Sequence, residues 1–377
     1  MFSIYIHYPF CVKKCNYCSF VSAPARSEAE REEYAGYLER ELSLAALTPG
    51  IGGSAPETIY FGGGTPSLMP AAALERLMST VGALFGVAAG AEVTVECNPG
   101  SVADPKEWLS RARAAGVNRA VVGAQSFSDA TLAFMGRLHR KNDTESFYRA
   151  AREAGFDSVG VDLIYGLPGR TVAEWQHELE AALALRPDHV SLYCLEITPG
   201  TPFGSELAAG RMSELEPEAQ EEMYFAACET LEAAGLPAYE ISNFARPGFE
   251  CRHNLVYWRG GDYYAAGLSA CSCLGGWRWE NEREIDTYKK KVEAGMLPRR
   301  SGEFLSPDRR LRERVIMALR AAAGFRPEPP RVDYERALIS DLDLLAESGA
   351  LEKSASGAFL LPKRHRFISD SIFSRIV

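Results

Sequence analysis

Short apolar, β-branched runs alternate six times with longer amphipathic segments in the first 200 residues, and this alternation limits the fold more than any other feature. The runs are SIYIH (3–7), TIYFG (58–62), EVTVEC (92–97), AVVGAQ (120–125), VGVDLIY (159–165) and HVSLYCLE (189–196). Helical patterns fall between them, near 28–47, 70–85, 105–115, 143–154 and 172–184. Ser27 with Glu30, and Thr171 with Glu174, have capping-box spacing. Asp104-Pro105 is a strong helix start, with Asp as cap and Pro in the first turn. A strand followed by a helix, repeated, builds βαβ units and a parallel sheet. Six such units predict an incomplete (β/α)6 barrel rather than the full eight, with a doubly wound open sheet as the alternative by pattern alone.

The rhythm changes after residue 200. A helix near 216–234 leads to AYEIS (238–242) and then to an aromatic, Gly-rich stretch at 253–279. Helices are expected near 308–322 and 333–348, on either side of the loop-like GFRPEPP at 324–330. A hairpin over 350–361 follows, with Gly357 at its tip. The chain therefore divides into residues 1–300, with a barrel core over about 1–200, and a small winged-helix-like domain over 301–377.

Hydrophobic residues make up 46% and charged residues 24%, the proportions of an ordinary globular protein. The net charge of −9, without basic runs, argues against a nucleic-acid surface. No apolar stretch reaches the ~20 residues of a membrane span. The chain runs straight into MFSIYIHYPFC with no basic leader or cleavage site, so the expected location is cytoplasmic. Nine cysteines in such a chain do not suggest a disulfide framework.

Three of the nine crowd into Cys11-Val-Lys-Lys-Cys15-Asn-Tyr-Cys18, directly after the first strand. Iron–sulfur cubanes are held by closely spaced thiolates, usually four. Three thiolates leave one iron open to a small molecule such as S-adenosylmethionine (SAM). A zinc site completed by His7 is the alternative by spacing alone. The strand-end position is the face on which αβ barrels build active sites. Tyr17 lies between the second and third cysteines, placed to shield a cluster or pack on an adenine. Gly62-Gly63-Gly64-Thr65-Pro66 ends the second strand and fits neither phosphate-binding glycine motif. Glu96, Gln125 and Asp162 close or interrupt the later strands, and Arg137 follows in GRLHR. A carboxylate within an apolar strand needs a partner or a function.

Taken in order, YIHYPFCVKKCNYC, FGGGTPS, VECNP, GAQSF, GRLHR and VDLIYGLPG are similar to the signature blocks of the oxygen-independent coproporphyrinogen III oxidase-like radical SAM proteins. The resemblance implies a [4Fe–4S] cluster on Cys11, Cys15 and Cys18. It implies SAM contacts from Tyr5, Gly63, Gly64, Thr65, Glu96, Gln125, Arg137 and Asp162. Phe20 stands where the true oxidase members add a cysteine, the start is short, and His253-Asn254-Leu-Val-Tyr257-Trp258 matches a block associated with haem binding. These features resemble the haem-chaperone members, which would carry haem to a client protein, with an electron donor serving the cluster and any membrane met only through the client. The alternative is the oxidase itself, acting in porphyrin biosynthesis. A tRNA-modifying radical enzyme is disfavoured by the acidic balance. His253 is the expected haem ligand. The segment LSACSCLGG lacks the family's His near Cys271, which makes the Cys271 thiolate the other candidate.

Overall fold

The computed structural model describes residues 2–24 and 27–376. The six expected strands form: β1 (Phe2–Tyr8), β2 (Thr58–Gly63), β3 (Glu92–Cys97), β4 (Arg119–Gln125), β5 (Ser158–Tyr165) and β6 (His189–Cys194). They pair in parallel in that order. Five more strands extend the sheet. β7 (Asn243–Ala245) runs antiparallel to β6. β8 (Asp262–Ala266) joins the other side, parallel to β1. β9 (Cys271–Leu274), β10 (Trp277–Asn281) and β11 (Arg299–Phe304) continue from β8 as antiparallel neighbours. The order across the eleven-stranded sheet ends at β11 on one side and β7 on the other, so the barrel is incomplete. The parallel part has seven strands rather than six, because β8 comes from the aromatic stretch whose pattern did not announce a strand. AYEIS forms only isolated bridges, at Ala238 and Glu240.

Helices α1 (Glu28–Ala46), α2 (Ala71–Phe85), α3 (Pro105–Ala114), α4 (Lys141–Glu153) and α5 (Val172–Ala184) fill the intervals, and α6 (Pro217–Ala233) follows β6. The sequence signals for their starts hold locally. Ser27 accepts from the Glu30 amide, Asp104 accepts from the Glu107 amide, and Thr171 with Glu174 forms a complete capping box. Each cap of this kind contributes about 1 kcal/mol.

Side chains alternate across a strand with period two. One set of positions is aliphatic or aromatic and packs under the helices: Ile4 and Ile6, Ile59 and Phe61, Val93 and Val95, Val159 and Val161, all in one buried cluster with Leu38, Leu77, Phe147 and Leu179. Burial of each such side chain contributes about 1.5–3 kcal/mol. The other set faces the concave side and is polar or aromatic. It includes Ser3 and Tyr5 on β1, Tyr60 on β2, Glu92 and Glu96 on β3, Arg119 on β4, Asp162 on β5 and His189 on β6. Hydrophobic pattern on one face therefore fixes the register, and chemistry is left to the other.

A buried carboxylate ties the antiparallel extension to the barrel. Glu41 on α1 is fully buried. It accepts from Tyr264 Oη at 2.9 Å, the Gly267 amide at 2.8 Å, Asn281 Nδ2 at 2.8 Å and Tyr288 Oη at 2.6 Å. Those donors lie on or beside β8, β10 and the helix Ile285–Glu293, so one side chain joins four segments.

A short helix, α7 (Arg252–Trp258), precedes β8. Helices α8 (Ile285–Glu293), α9 (Pro307–Arg320) and α10 (Asp333–Glu347) come after β8, and a two-stranded pair, Glu352–Lys353 with Phe359–Leu360, follows. α9, α10 and that pair enclose a second cluster that includes Val315, Leu319, Leu338, Leu342 and Phe359. This is the helix–helix–hairpin order on which the winged-helix-like reading rests. Among the described residues no helix is long and apolar enough to cross a membrane.

Glu41→Ala strands several buried donors at about 1–3 kcal/mol each, so it should lower unfolding free energy by about 3 kcal/mol or more. Denaturant titration of the variant against wild type measures it.

Candidate functional site

A cavity of about 340 Å³ opens at the C-terminal ends of the parallel strands. That is large enough for a cofactor-sized ligand. Its rim is the loop that follows β1. Cys11, Cys15 and Cys18 all line it, with Tyr17 and Phe20 beside them. The loop is pinned from below and from the side. Asn16 donates through Nδ2 to the Phe134 carbonyl at 2.8 Å, and its own carbonyl accepts from the Phe203 amide at 2.9 Å. Burial pushes the Cys11 and Cys18 thiols up. Burial also raises the Tyr17 phenol, against the pull of Arg137.

A line of side chains connects two of the cysteines. Thr65 Oγ1 donates to Cys11 Sγ at 3.5 Å. Asn98 Nδ2 donates to Thr65 Oγ1 at 2.9 Å. Arg137 Nη2 donates to Asn98 Oδ1 at 2.6 Å and to the Gly123 carbonyl at 2.9 Å. Arg137 Nη1 reaches Cys15 Sγ at 3.5 Å. Sequence reasoning singled out Thr65 and Arg137 but passed over Asn98, the hinge of the line. The only signal was its place directly after Glu96-Cys97, within VECNP.

Two glycines owe their identity to this loop. A Cβ on Gly64 would lie 2.7 Å from the Pro9 backbone, and one on Gly63 would lie 2.7 Å from the His7 ring. Gly63 also sits at φ +114, a conformation other residues rarely adopt. Both line the cavity, so close approach of the loop and access for a ligand coincide.

The cavity floor is acidic. Glu96 accepts from Tyr60 Oη at 2.8 Å and from the Gly63 amide at 3.3 Å. Burial lifts its carboxyl to about 7, with Asp162 adding to the rise. Burial likewise lifts Asp162 to about 6, opposed by a Ser191 hydrogen bond and by Arg119 and Arg137. Asp162 Oδ1 has no protein partner. Gln125 adopts φ 64 at a register shift in β4, which turns it into the cavity. Such a conformation costs about 1–3 kcal/mol and clusters at functional sites. Tyr193, on the inward line of β6, completes the floor and was not foreseen.

Two expected contacts are not on the cavity wall. Tyr5 lies a layer below: its hydroxyl meets His7 Nδ1 at 3.2 Å and its ring stacks on Tyr60. His253 sits at the opposite end of the strands, where α7 closes the barrel floor. It is 1% exposed. Its Nδ1 meets Thr58 Oγ1 at 2.8 Å and its Nε2 meets Tyr257 Oη at 2.8 Å. Burial depresses its pKa to about 3, so it is neutral. The structure therefore does not present His253 as an open haem ligand; both ring nitrogens already have partners. His7 is similarly engaged, by Tyr5 and by the Val21 carbonyl at 3.1 Å, and is not free to complete a zinc site. Cys271 is exposed on β9.

Cys11, Cys15 and Cys18 supply the donor chemistry of a cluster with three protein ligands, while among the described residues no three His, Cys, Asp or Glu side chains converge on a single metal ion. Three loop thiols share the cavity with an unpartnered carboxylate oxygen and a buried guanidinium. Cys97 and Cys194 also touch the wall, but Cys97 is directed at the Val95 carbonyl and Cys194 at Tyr165.

Comparison with known proteins agrees. Residues 5–182 match the Radical SAM superfamily. The chain is 35% identical to the Heme chaperone HemW of Bacillus subtilis over 367 residues, 96% of this chain and 95% of that protein. It is 36% identical to HemW of Escherichia coli, over 81% of this chain and 78% of that one. Coproporphyrinogen III oxidase (HemN) of Escherichia coli, described as a radical SAM enzyme, superposes with a TM-score of 0.83 at 26% identity, over 100% of this chain and 89% of that one. Cavity, sheet order and similarity along nearly the whole length lead to one assignment: the chain belongs to the HemW-like family of radical SAM proteins.

Proposed function

We propose that this protein is a haem chaperone that binds a [4Fe–4S] cluster, SAM and haem, and delivers haem to client proteins. The observation that carries the reading is similarity over 96% of the chain to a protein named for that function. Cys11, Cys15 and Cys18 would hold the cluster. When bound, it supplies one electron to SAM at the iron that lacks a protein ligand. Around that group this chain's own residues bind and orient. Arg137, fixed by Asn98 and the Gly123 carbonyl, places a positive charge beside Cys15. Gly63 and Gly64 would let the amino-acid end of SAM approach the backbone. Glu96, Gln125 and Asp162 would receive its polar groups, with Thr65 and Arg137 above them. Tyr17 and Phe20 at the rim would limit water.

A one-electron donor is then a further partner. We place the protein in the cytoplasm, where nine free cysteines stay reduced. Residues 301–377 are proposed as a winged-helix-like domain, and 1–300 as the partial barrel with its haem-binding extension.

For haem, Cys271 is the open donor of this region. Haem on His253 would require α7 to leave the barrel floor and two buried hydrogen bonds to break.

A second reading is favoured by the whole-chain likeness to HemN: radical decarboxylation of coproporphyrinogen III. Against it stands Phe20, 65% exposed at the cavity rim where the resemblance places a cysteine in the oxidase.

Anaerobic incubation with SAM, reductant and coproporphyrinogen III should give no protoporphyrinogen, while haem stays bound through gel filtration. Multiple turnovers would replace the chaperone reading with the oxidase. Cys271→Ala should shift the optical spectrum of bound haem. His253→Ala should instead lower stability by about 1–3 kcal/mol, from the hydroxyls it strands, and leave that spectrum unchanged. The opposite pattern would put haem on the imidazole.

A further inference from the structure

The line of side chains from Arg137 through Asn98 to Thr65 is also a partition. On one side lies the strand-end cavity, and on the other a shallow depression of about 40 Å³. Cys15, Thr65, Asn98 and Arg137 line both. Cys15 is therefore reached from a second side, without passing through the cavity. Val12 and Leu138 also line the depression, and they are 53% and 60% exposed. Single exposed apolar side chains are ordinary. Here two of them share one depression with a thiol of the candidate cluster loop.

The segment that carries Leu138 is fastened to that loop. The Asn16 amide donates to the Met135 carbonyl at 2.9 Å, and a Cβ on Gly136 would lie 2.7 Å from Asn16 Oδ1. Val12 and Leu138 thus belong to one surface whose two segments are held together. The charge on it is positive. Lys13 lines the depression and Lys14 follows it; Arg140 and Lys141 come directly after His139, which also lines it. All four are exposed. Lys14 donates to the Phe20 carbonyl at 3.0 Å, while Lys13, Arg140 and Lys141 form no ion pair with a described residue. Two carboxylates touch the same segment, Asp143 at the Arg140 amide and Asp129 at the Lys141 amide. Four cations against two carboxylates make a basic patch on a chain whose net charge is −9.

We propose that this patch is the docking surface for an acidic one-electron carrier protein, seated over Val12 and Leu138 with its carboxylates against Lys13, Arg140 and Lys141. The proposal rests on the reading of Cys11, Cys15 and Cys18 as cluster ligands. Reduction must reach the cluster while SAM fills the cavity, and the depression is the side that SAM does not cover. The reduced carrier loses one electron and the oxidised cluster gains it; no bond is made or broken. Electron-transfer encounters use small interfaces, below about 1,200 Å². They are steered by complementary charge rather than held by a large apolar area. Two apolar side chains among basic ones suit that kind of contact.

Two acidic carriers serve as probes, a flavodoxin and a plant-type [2Fe–2S] ferredoxin, each with the reconstituted, SAM-bound protein. Amide hydrogen exchange in the wild type should show protection of residues 12–16 and 136–141 by at least one of them, a result that needs no variant to fold. Stopped-flow absorbance then follows cluster reduction by that carrier and, separately, by dithionite. Lys13→Glu with Arg140→Glu should slow the carrier by about tenfold at low salt, and by much less at about 0.3 M, where surface charge is screened. Leu138→Gln should weaken carrier binding by roughly tenfold at both salt concentrations, because an apolar contact is not screened. Both variants should change the dithionite rate far less. Unchanged carrier rates in both overturn the proposal, as does wild-type protection confined to residues 17–20 or 253–279, or no protection by either carrier. A wild-type dimer that buries the same two segments and excludes the carriers gives the surface to a second copy and also overturns it. Protein that assembles no cluster refutes the cluster reading, while the exchange footprint, which needs only binding, still decides the surface.

Discussion

The guanidinium of Arg137 is the interaction on which the site depends. It is buried between the Gly123 carbonyl, Asn98 and Cys15, and through Asn98 and Thr65 it reaches Cys11. A short cysteine loop has little packing of its own. It would sample many arrangements, at about 1–2 kcal/mol of backbone entropy per residue to fix. The line of hydrogen bonds offsets that cost and attaches the loop to the ends of β2, β3 and β4. The register shift in β4 and the positive φ of Gln125 follow from the same need. The strand must bulge to bring the 123 carbonyl to Arg137 and still turn residue 125 inward.

The rest of the barrel sustains an unusual lumen. A packed (β/α)8 barrel fills its interior with branched aliphatic side chains. Here the inward line carries Glu92, Glu96, Arg119, Asp162 and His189 instead. Such groups cost stability unless they are paired or hydrated. The compensation lies on the outer face, where aliphatic strand positions and helices α1–α6 and α8 form one continuous buried cluster. The floor is closed by α7, which Glu92 anchors through the amides of Arg252 and His253. The HNLVYW block is therefore part of the barrel's base as well as a candidate for haem contact.

What the sequence made legible follows from the same division. The six strands stood out because their outer positions are β-branched, and the helices because their caps lie in local spacing that tertiary contacts did not override. The cysteine loop was legible because its ligands are contiguous. β8 was not, since DYYAA has neither alternation nor a β-branched run; it is held by β1 and β9 on either side. Glu41 carries no local signal of its role, because the four donors that converge on it lie more than 220 residues away in the chain. His253 was read as a ligand because of its block. The structure shows why the same residue suits a floor: an uncharged imidazole with a hydroxyl on each nitrogen is stable in a dry interior. Tyr5 was carried over as a SAM contact, and it is not among the residues that line the cavity.

The likeness to HemN shows how little the fold alone decides. Both readings share the cysteine loop and the strand-end cavity, and both require one iron of the cluster to lack a protein ligand. That requirement is open to direct measurement. Protein reconstituted anaerobically with 57Fe should contain a four-iron cluster, and Mössbauer spectra taken with and without SAM should show one iron site changing its parameters while three stay unchanged. Four equivalent irons indifferent to SAM, or a protein that assembles no cluster while its cysteines are reduced, would contradict the account.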